Sequence, residues 1–257
     1  MKGEVQFRSE RLAVLIDADN ADPNLVEPLL TEISRYGTAH VKRIYGNWTT
    51  PQLGKWKDKL LDFAIQPIQQ FAYTTGKNAT DSALIIDAMD LLYSGNLDAF
   101  CIVSSDSDYT RLATRIRESG LYVYGFGQRK TPKAFVSACD KFIYTEILKP
   151  DAMLSPIHLT ASTFQIEATN TALVEDNSGV PLDYLKEAYD LLEGEDGWID
   201  LGGYGSKLTQ LHPEFDPRNY GFNQLGKLVR ASNRFEVREI PHEKNPNAKI
   251  FLIKWKA

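Results

Sequence analysis

The 257 residues suffice for one domain of ordinary size plus a small one, and with only Cys101 and Cys139 they offer neither a disulfide framework nor a thiolate zinc site. No apolar run approaches the roughly 18–20 residues needed to cross a bilayer, and Met1–Gln6 lacks the apolar core of a signal peptide, so no membrane association and a cytoplasmic location are expected. The net charge of −5 argues against bulk attraction of nucleic acid, yet residues 222–257 carry 8 Lys/Arg against 3 Asp/Glu while residues 172–221 carry 3 against 11.

The first apolar run, Leu12 to Ile16, reads as a buried strand that releases Asp17-Ala18-Asp19-Asn20 into a turn. Asp22-Pro23 starts a helix whose apolar face is Leu25, Val26, Leu29, Leu30 and Ile33, closed by Gly37. A strand over Ala39–Tyr45, a helix over Pro51–Asp62 and a strand over Ile65–Ala72 follow, with Pro67 marking the last as an edge strand or a bulge. Asp81 opens a helix through Leu92. Ala99 to Val103 is a second acid-tipped strand, running into Ser104-Ser105-Asp106-Ser107-Asp108-Tyr109. A helix over Arg111–Ser119, a strand over Leu121–Phe126, a helix over Pro132–Ala138 and a short strand over Phe142–Tyr144 complete the alternation. That alternation predicts a Rossmann-like, doubly wound parallel α/β sheet of order 3-2-1-4-5, in which the first and fourth strands are neighbours.

Pro, Ser and Thr then dominate, and a linker is expected over 149–171 between a domain at 1–148 and a second at 172–257. Helices over Leu182–Leu192, Gly202–Leu211 and Gly221–Ala231 and a hairpin of Phe235–Ile240 with Ile250–Trp255 make the second domain a small winged helix.

Asp17, Asp19, Asp81, Asp106 and Asp108 all fall at strand ends or at a helix start, where the chain exposes a carboxylate. Gathered like charges repel and raise one another's pKa, so such a cluster calls for a cation. Oxygen ligands without His or Cys suit Mg²⁺ or Mn²⁺, and such ions can clamp a phosphodiester. The four histidines are scattered and form no nucleophile–base group. An Asp at such a turn is also a common helix cap, and Asp19 and Asp108 are the acids best suited to that role or to orienting a ligand.

Leu15-Ile16-Asp17-Ala18-Asp19-Asn20, Tyr45-Gly46-Asn47-Trp48, Lys77-Asn78-Ala79-Thr80-Asp81, Val103 to Tyr109 and Ala138 to Ile143, in that order, resemble the motifs of NYN domains of the bacterial LabA-like branch, in the PIN-like nuclease superfamily. The resemblance implies a metal-dependent ribonuclease with Asp17, Asp81, Asp106 and Asp108 as metal-holding catalytic acids and Asn20 ordering the site, with Asp19 and Ser105 beside it. Ser105 stands where the family often has Gly. Gly197 to Leu201, Gly205 to Leu208, Phe215 to Arg218 and Tyr220-Gly221-Phe222 resemble a LOTUS (OST-HTH) domain, which implies an RNA-binding winged helix, sometimes with a protein-binding role.

The RNA-contact candidates are Arg43, Trp48, Lys77, Arg129 and Lys130 in the first domain and Lys227, Arg230 and Arg234 in the second. Single-stranded or structured RNA is the expected partner, DNA fits as well because nothing visible reads a 2′-hydroxyl, and a homodimer or a protein partner through the winged helix is compatible with the second resemblance. Two other readings use the same residues: an RNA-binding adaptor that has lost turnover, and a haloacid-dehalogenase-type phosphatase with Asp17 as nucleophile and Asp19 as acid/base.

Overall fold

The computed structural model describes residues 9–71, 79–149, 180–192, 194, 196–242 and 245–256. The expected linker therefore lies outside the described residues except for Lys149, as does Lys77. The chain forms two compact units, Met1–Ala152 and Met153–Ala257. No helix among the described residues is long and apolar enough to cross a membrane.

The first unit is built on six parallel strands: β1 (Arg11–Asp17), β2 (Thr38–Gly46), β3 (Gln66–Gln69), β4 (Ala99–Val103), β5 (Tyr122–Gly127) and β6 (Lys141–Tyr144). Their order is β3-β2-β1-β4-β5-β6, the predicted winding with the short last strand added outside β5. Proline lacks the N–H that a central strand needs, and Pro67 accordingly sits in the edge strand β3. That strand pairs only over Gln66–Gln69, shorter than the apolar pattern Ile65–Ala72 suggests.

Strand alternation decides what each face receives. Leu12, Val14 and Ile16 of β1, with Ala99, Cys101 and Val103 of β4, pack under α1 (Val26–Ile33) and beside α2 (Trp56–Asp62). Ala13 and Leu15, with Phe100 and Ile102, pack under α3 (Ala79–Tyr93), α4 (Thr110–Glu118) and α5 (Lys133–Ala138). Period two then sends Asp17 and Ser104 to the α3 side and leaves Val103 on the α1 side. Both cysteines are buried and unpaired, in keeping with small core residues.

Gly127 ends β5 where backbone crowds backbone: a Cβ there would lie 2.5 Å from the Ser104 carbonyl oxygen, 2.7 Å from Thr131 Oγ1 and 2.9 Å from Phe142. Gly127→Ala must push β5 away from the exit of β4 and is expected to lower stability by about 1–3 kcal/mol in chemical denaturation. An unchanged denaturation midpoint would mean that this approach is looser than the structure has it.

In the second unit α6 (Leu182–Asp190), α7 (Leu201–Leu211) and α8 (Leu225–Ala231) pack with the antiparallel sheet β7-β9-β8, the winged-helix arrangement. β8 (Phe235–His242) and β9 (Asn245–Trp255) form the expected hairpin, and the two-residue β7 (Ile199–Asp200), too short to carry a pattern, pairs with Leu252 and Ile253. α8 starts four residues later than the apolar spacing suggests. Gly221, at φ +80°, closes a 3₁₀ turn over Pro217–Tyr220 instead of opening a helix.

Candidate functional site

β1 and β4 are neighbours, so the two acid-tipped ends emerge side by side at the carboxyl edge of the sheet. Asp17 is 1% exposed and accepts three hydrogen bonds: from the Asp19 N–H at 3.1 Å, from Asn20 Nδ2 at 2.7 Å and from Ser104 Oγ at 2.8 Å. Burial pushes its carboxyl above the usual range, these donors oppose that rise, and the charge of Asp81 adds to it.

Beyond β4 the chain turns through one 3₁₀ turn, Ser107–Tyr109, before α4. Asp106 caps that turn by accepting from the Asp108 N–H at 2.9 Å, and Ser104 Oγ accepts from the Asp106 N–H at 3.1 Å. Asp106, not Asp108, is thus the cap. The turn brings buried Tyr109 under α3, where its hydroxyl donates to Asp81 Oδ1 at 2.7 Å. Asp81, in the first turn of α3, is held by burial above the ordinary carboxylate range, and the charges of Asp106, Asp108 and Asp19 push the same way against the Tyr109 bond. The Tyr109 phenol is itself driven upward, first by burial and then by Asp17 and Asp81, and stays a donor.

One carboxylate oxygen each from Asp81, Asp106 and Asp108 lies within 4.8 Å of the other two. Among the described residues this trio is a set that could share a cation, and three oxygen donors suit a hard divalent ion. Asp17 is outside the trio, locked by its three donors, with Asn20 and Ser104 fixing its orientation. Asp19 is exposed beside it, and Ser105 Oγ accepts from the Gln128 N–H at 2.9 Å, tying the β4 exit to the β5 exit. Ser104 and Tyr109 are the two members that sequence reasoning does not single out. Their signal lies in strand parity and in the three-residue period of a 3₁₀ turn, which sets Tyr109 on the same side as Asp106.

Arg43 pairs with Asp87 on α3, which also accepts from the buried Tyr45 hydroxyl, so Asp87 serves this ion pair. Trp48 is partly buried against the α1-side core and donates through its indole N–H to the Ile68 carbonyl at 3.0 Å. Arg129 lies over the Tyr144 ring at 5.4 Å, and Lys130 is exposed next to it. In the second unit Arg230, Arg238 and Lys256 border an open basin of about 510 Å³ with Trp198 and Phe235. Arg238 stacks on Trp198 at 4.3 Å, and Arg230 pairs with Glu239 at 3.2 Å. Lys227, exposed, and Arg234, partly buried, are not in that border.

A parallel sheet whose first and fourth strands deliver carboxylates to a third acid on a crossover helix is a PIN-like α/β fold. The chain belongs to the NYN domain family, whose model matches residues 11–148, and an OST-HTH/LOTUS domain model matches residues 172–246. This membership sets aside the haloacid-dehalogenase-type reading. No curated protein matches the chain. Among solved structures it is similar to a protein of unknown function from Vibrio parahaemolyticus, at 17% identity and a TM-score of 0.46, covering 54% of this chain and 94% of that one. A protein from Nitrosomonas europaea matches at 25% identity and a TM-score of 0.27, covering 39% and 93%. The WlbA dehydrogenase from Bordetella pertussis matches at 18% identity and a TM-score of 0.32, covering 59% and 39%. The two matched domains together support a ribonuclease-type or RNA-binding role.

Proposed function

We propose that the chain is a metal-dependent ribonuclease that hydrolyses RNA phosphodiester bonds at the Asp81–Asp106–Asp108 trio and holds RNA with its second domain. The observation that carries this reading is the convergence of three carboxylates, one of them partly buried on α3, within 4.8 Å of one another in an NYN domain. Without a cation such proximity costs free energy, and Mg²⁺ or Mn²⁺ suits the all-oxygen donor set.

A divalent ion held there supplies positive charge for the phosphate oxygens and acidifies a water. The chain's own residues do the rest. Asp81 and Asp106 hold the ion, with Asp81 steadied by Tyr109. Asp17, fixed by Asn20 and Ser104, adds negative potential beneath them. Asp108, the most exposed of the trio, accepts the proton of the attacking water as its oxygen bonds to phosphorus in line. The P–O3′ bond breaks and O3′ takes a proton from solvent, leaving a 3′-hydroxyl and a 5′-phosphate. The basin bordered by Arg230, Arg238 and Lys256 contacts phosphates, raising the local concentration of RNA near the acids.

The test is incubation of end-labelled single-stranded RNA, with a matched DNA, with Mn²⁺, Mg²⁺ or excess chelator. Cleavage of RNA with metal alone, giving 5′-phosphate ends, is the expected result. RNA binding without cleavage under either metal would replace the nuclease by the adaptor.

A further inference from the structure

The chain that carries Asp106 and Asp108 runs on into α4, whose first turn holds Arg111. Tyr109, Leu112, Ala113 and Ile116 point into the core. Asp108 and Arg111 each precede one of these inward residues by one position. They therefore stand together, three residues apart, on the exposed side of the 3₁₀ turn and the helix it feeds. Neighbours at that spacing have Cβ atoms about 5–6 Å apart, a gap that an arginine side chain spans.

Of the three arginines in α4, two serve the fold. Arg115 donates to the Tyr93 hydroxyl at 3.1 Å and lies 3.7 Å from Glu118, and Arg117 donates to Asp140 at 2.9 Å. Both lie in the last turn, where a cation complements the helix dipole. Arg111 lies in the first turn, where a cation opposes that dipole, and it makes no hydrogen bond or ion pair among the described residues. Neither helix stability nor an internal partner accounts for it. Charge balance at the trio does. One divalent ion leaves the three carboxylates with surplus negative charge, to which the nearby charge of Asp19 adds. A phosphodiester arriving there is an anion meeting an anion unless a cation stands beside the acids.

We infer that Arg111 is a substrate-binding residue, whose guanidinium holds the non-bridging oxygens of the phosphate that is cut. The inference rests on the nuclease reading and deepens it by naming the residue that brings the phosphate to the acids. The planar fork of an arginine matches two phosphate oxygens at once, which a lysine, as a point charge, does not. Its charge stays in place while negative charge builds on those oxygens in the transition state, so the contact serves the reaction as well as binding. Asp108, one turn away on the same side, is left to accept the proton of the attacking water.

The test has two readouts on the full chain. In the isotope-labelled protein, the Arg111 Nε–H signal, identified by its loss in Arg111→Lys, is followed by NMR as single-stranded RNA is added with Ca²⁺ in place of Mn²⁺. RNA is expected to move that signal. In Mn²⁺-dependent cleavage of the same RNA, Arg111→Gln is expected to lower kcat/KM by about 10–100-fold, the range of a hydrogen bond between charged groups. Arg111→Lys, which keeps the charge and loses the fork, should fall between Arg111→Gln and wild type. Lys133→Gln removes one exposed charge from the start of α5 and should cost less than about threefold, as a screened charge at a distance does. An Arg111 signal that saturating RNA leaves in place, or a loss under Arg111→Gln no larger than that under Lys133→Gln, each overturns the inference. The wild-type signal decides even if a variant does not fold. Cleavage is scored separately: a signal that moves with RNA in a protein that does not cut keeps Arg111 on phosphate and removes the nuclease, and cleavage indifferent to Arg111→Gln does the reverse.

Discussion

Asp106→Asn is expected to cut metal-dependent RNA cleavage by roughly a thousandfold, since a cation's charge stabilisation of the transition state is worth several kcal/mol. The amide keeps a carbonyl oxygen that can accept from the Asp108 N–H, so the 3₁₀ turn and the β4 exit survive. What disappears is one of the two anionic groups that hold the ion. RNA affinity measured in chelator should stay within about twofold of wild type, because the loss is of a group that acts in the transition state. The same substitution should shrink the rise in melting temperature that Mn²⁺ produces, since a ligand that binds only the folded form stabilises it in proportion to its affinity. If Asp106→Asn cleaves at the wild-type rate, the trio is not the nuclease centre.

The combined substitution Arg230→Gln, Arg238→Gln and Lys256→Gln is expected to weaken RNA binding by about a hundredfold near 0.1 M salt and hardly at all near 1 M. Each phosphate contact contributes about −0.7 to the slope of log affinity against log salt for single strands, so three contacts remove about two units. The side chains border the basin from its exposed rim, Arg230 paired with Glu239 and Arg238 stacked on Trp198, while the core beneath is Tyr189, Tyr204, Leu228 and Ile253. Folding should therefore be little affected. A salt slope identical to wild type would show that RNA is held elsewhere on the chain.

Much of the first domain was legible because its central strands β1 and β4 carry unbroken apolar runs and several of its helices are bounded by Asp, Pro and Gly, the residues whose local chemistry starts and stops elements. The neighbouring of β1 and β4 followed from crossover handedness, and with it the meeting of Asp106 and Asp17 at one edge. Three features were not legible. The choice of Asp106 as cap depends on backbone angles after β4 that either acid could have satisfied. The pairing of Arg43 with Asp87 joins residues 44 apart, and no local pattern carries that distance. Gly221 belongs to the turn before α8 because the αL conformation it adopts ends elements, and spacing alone counts it into the helix.

Strand parity at the exit of β4 has a consequence for how this protein can vary. Val103 faces the α1 side and Ser104 the Asp17 side, so the loss or gain of one residue between Ala99 and Ser104 would exchange them. A hydroxyl would then stand in an oily wall and an isopropyl group beneath an anion. Substitutions can be absorbed one side chain at a time, but a length change at this point inverts both walls together. Homologues and engineered chimeras should therefore place their insertions on the helical side of Tyr109 and keep the residue count from Ala99 to Asp106 fixed.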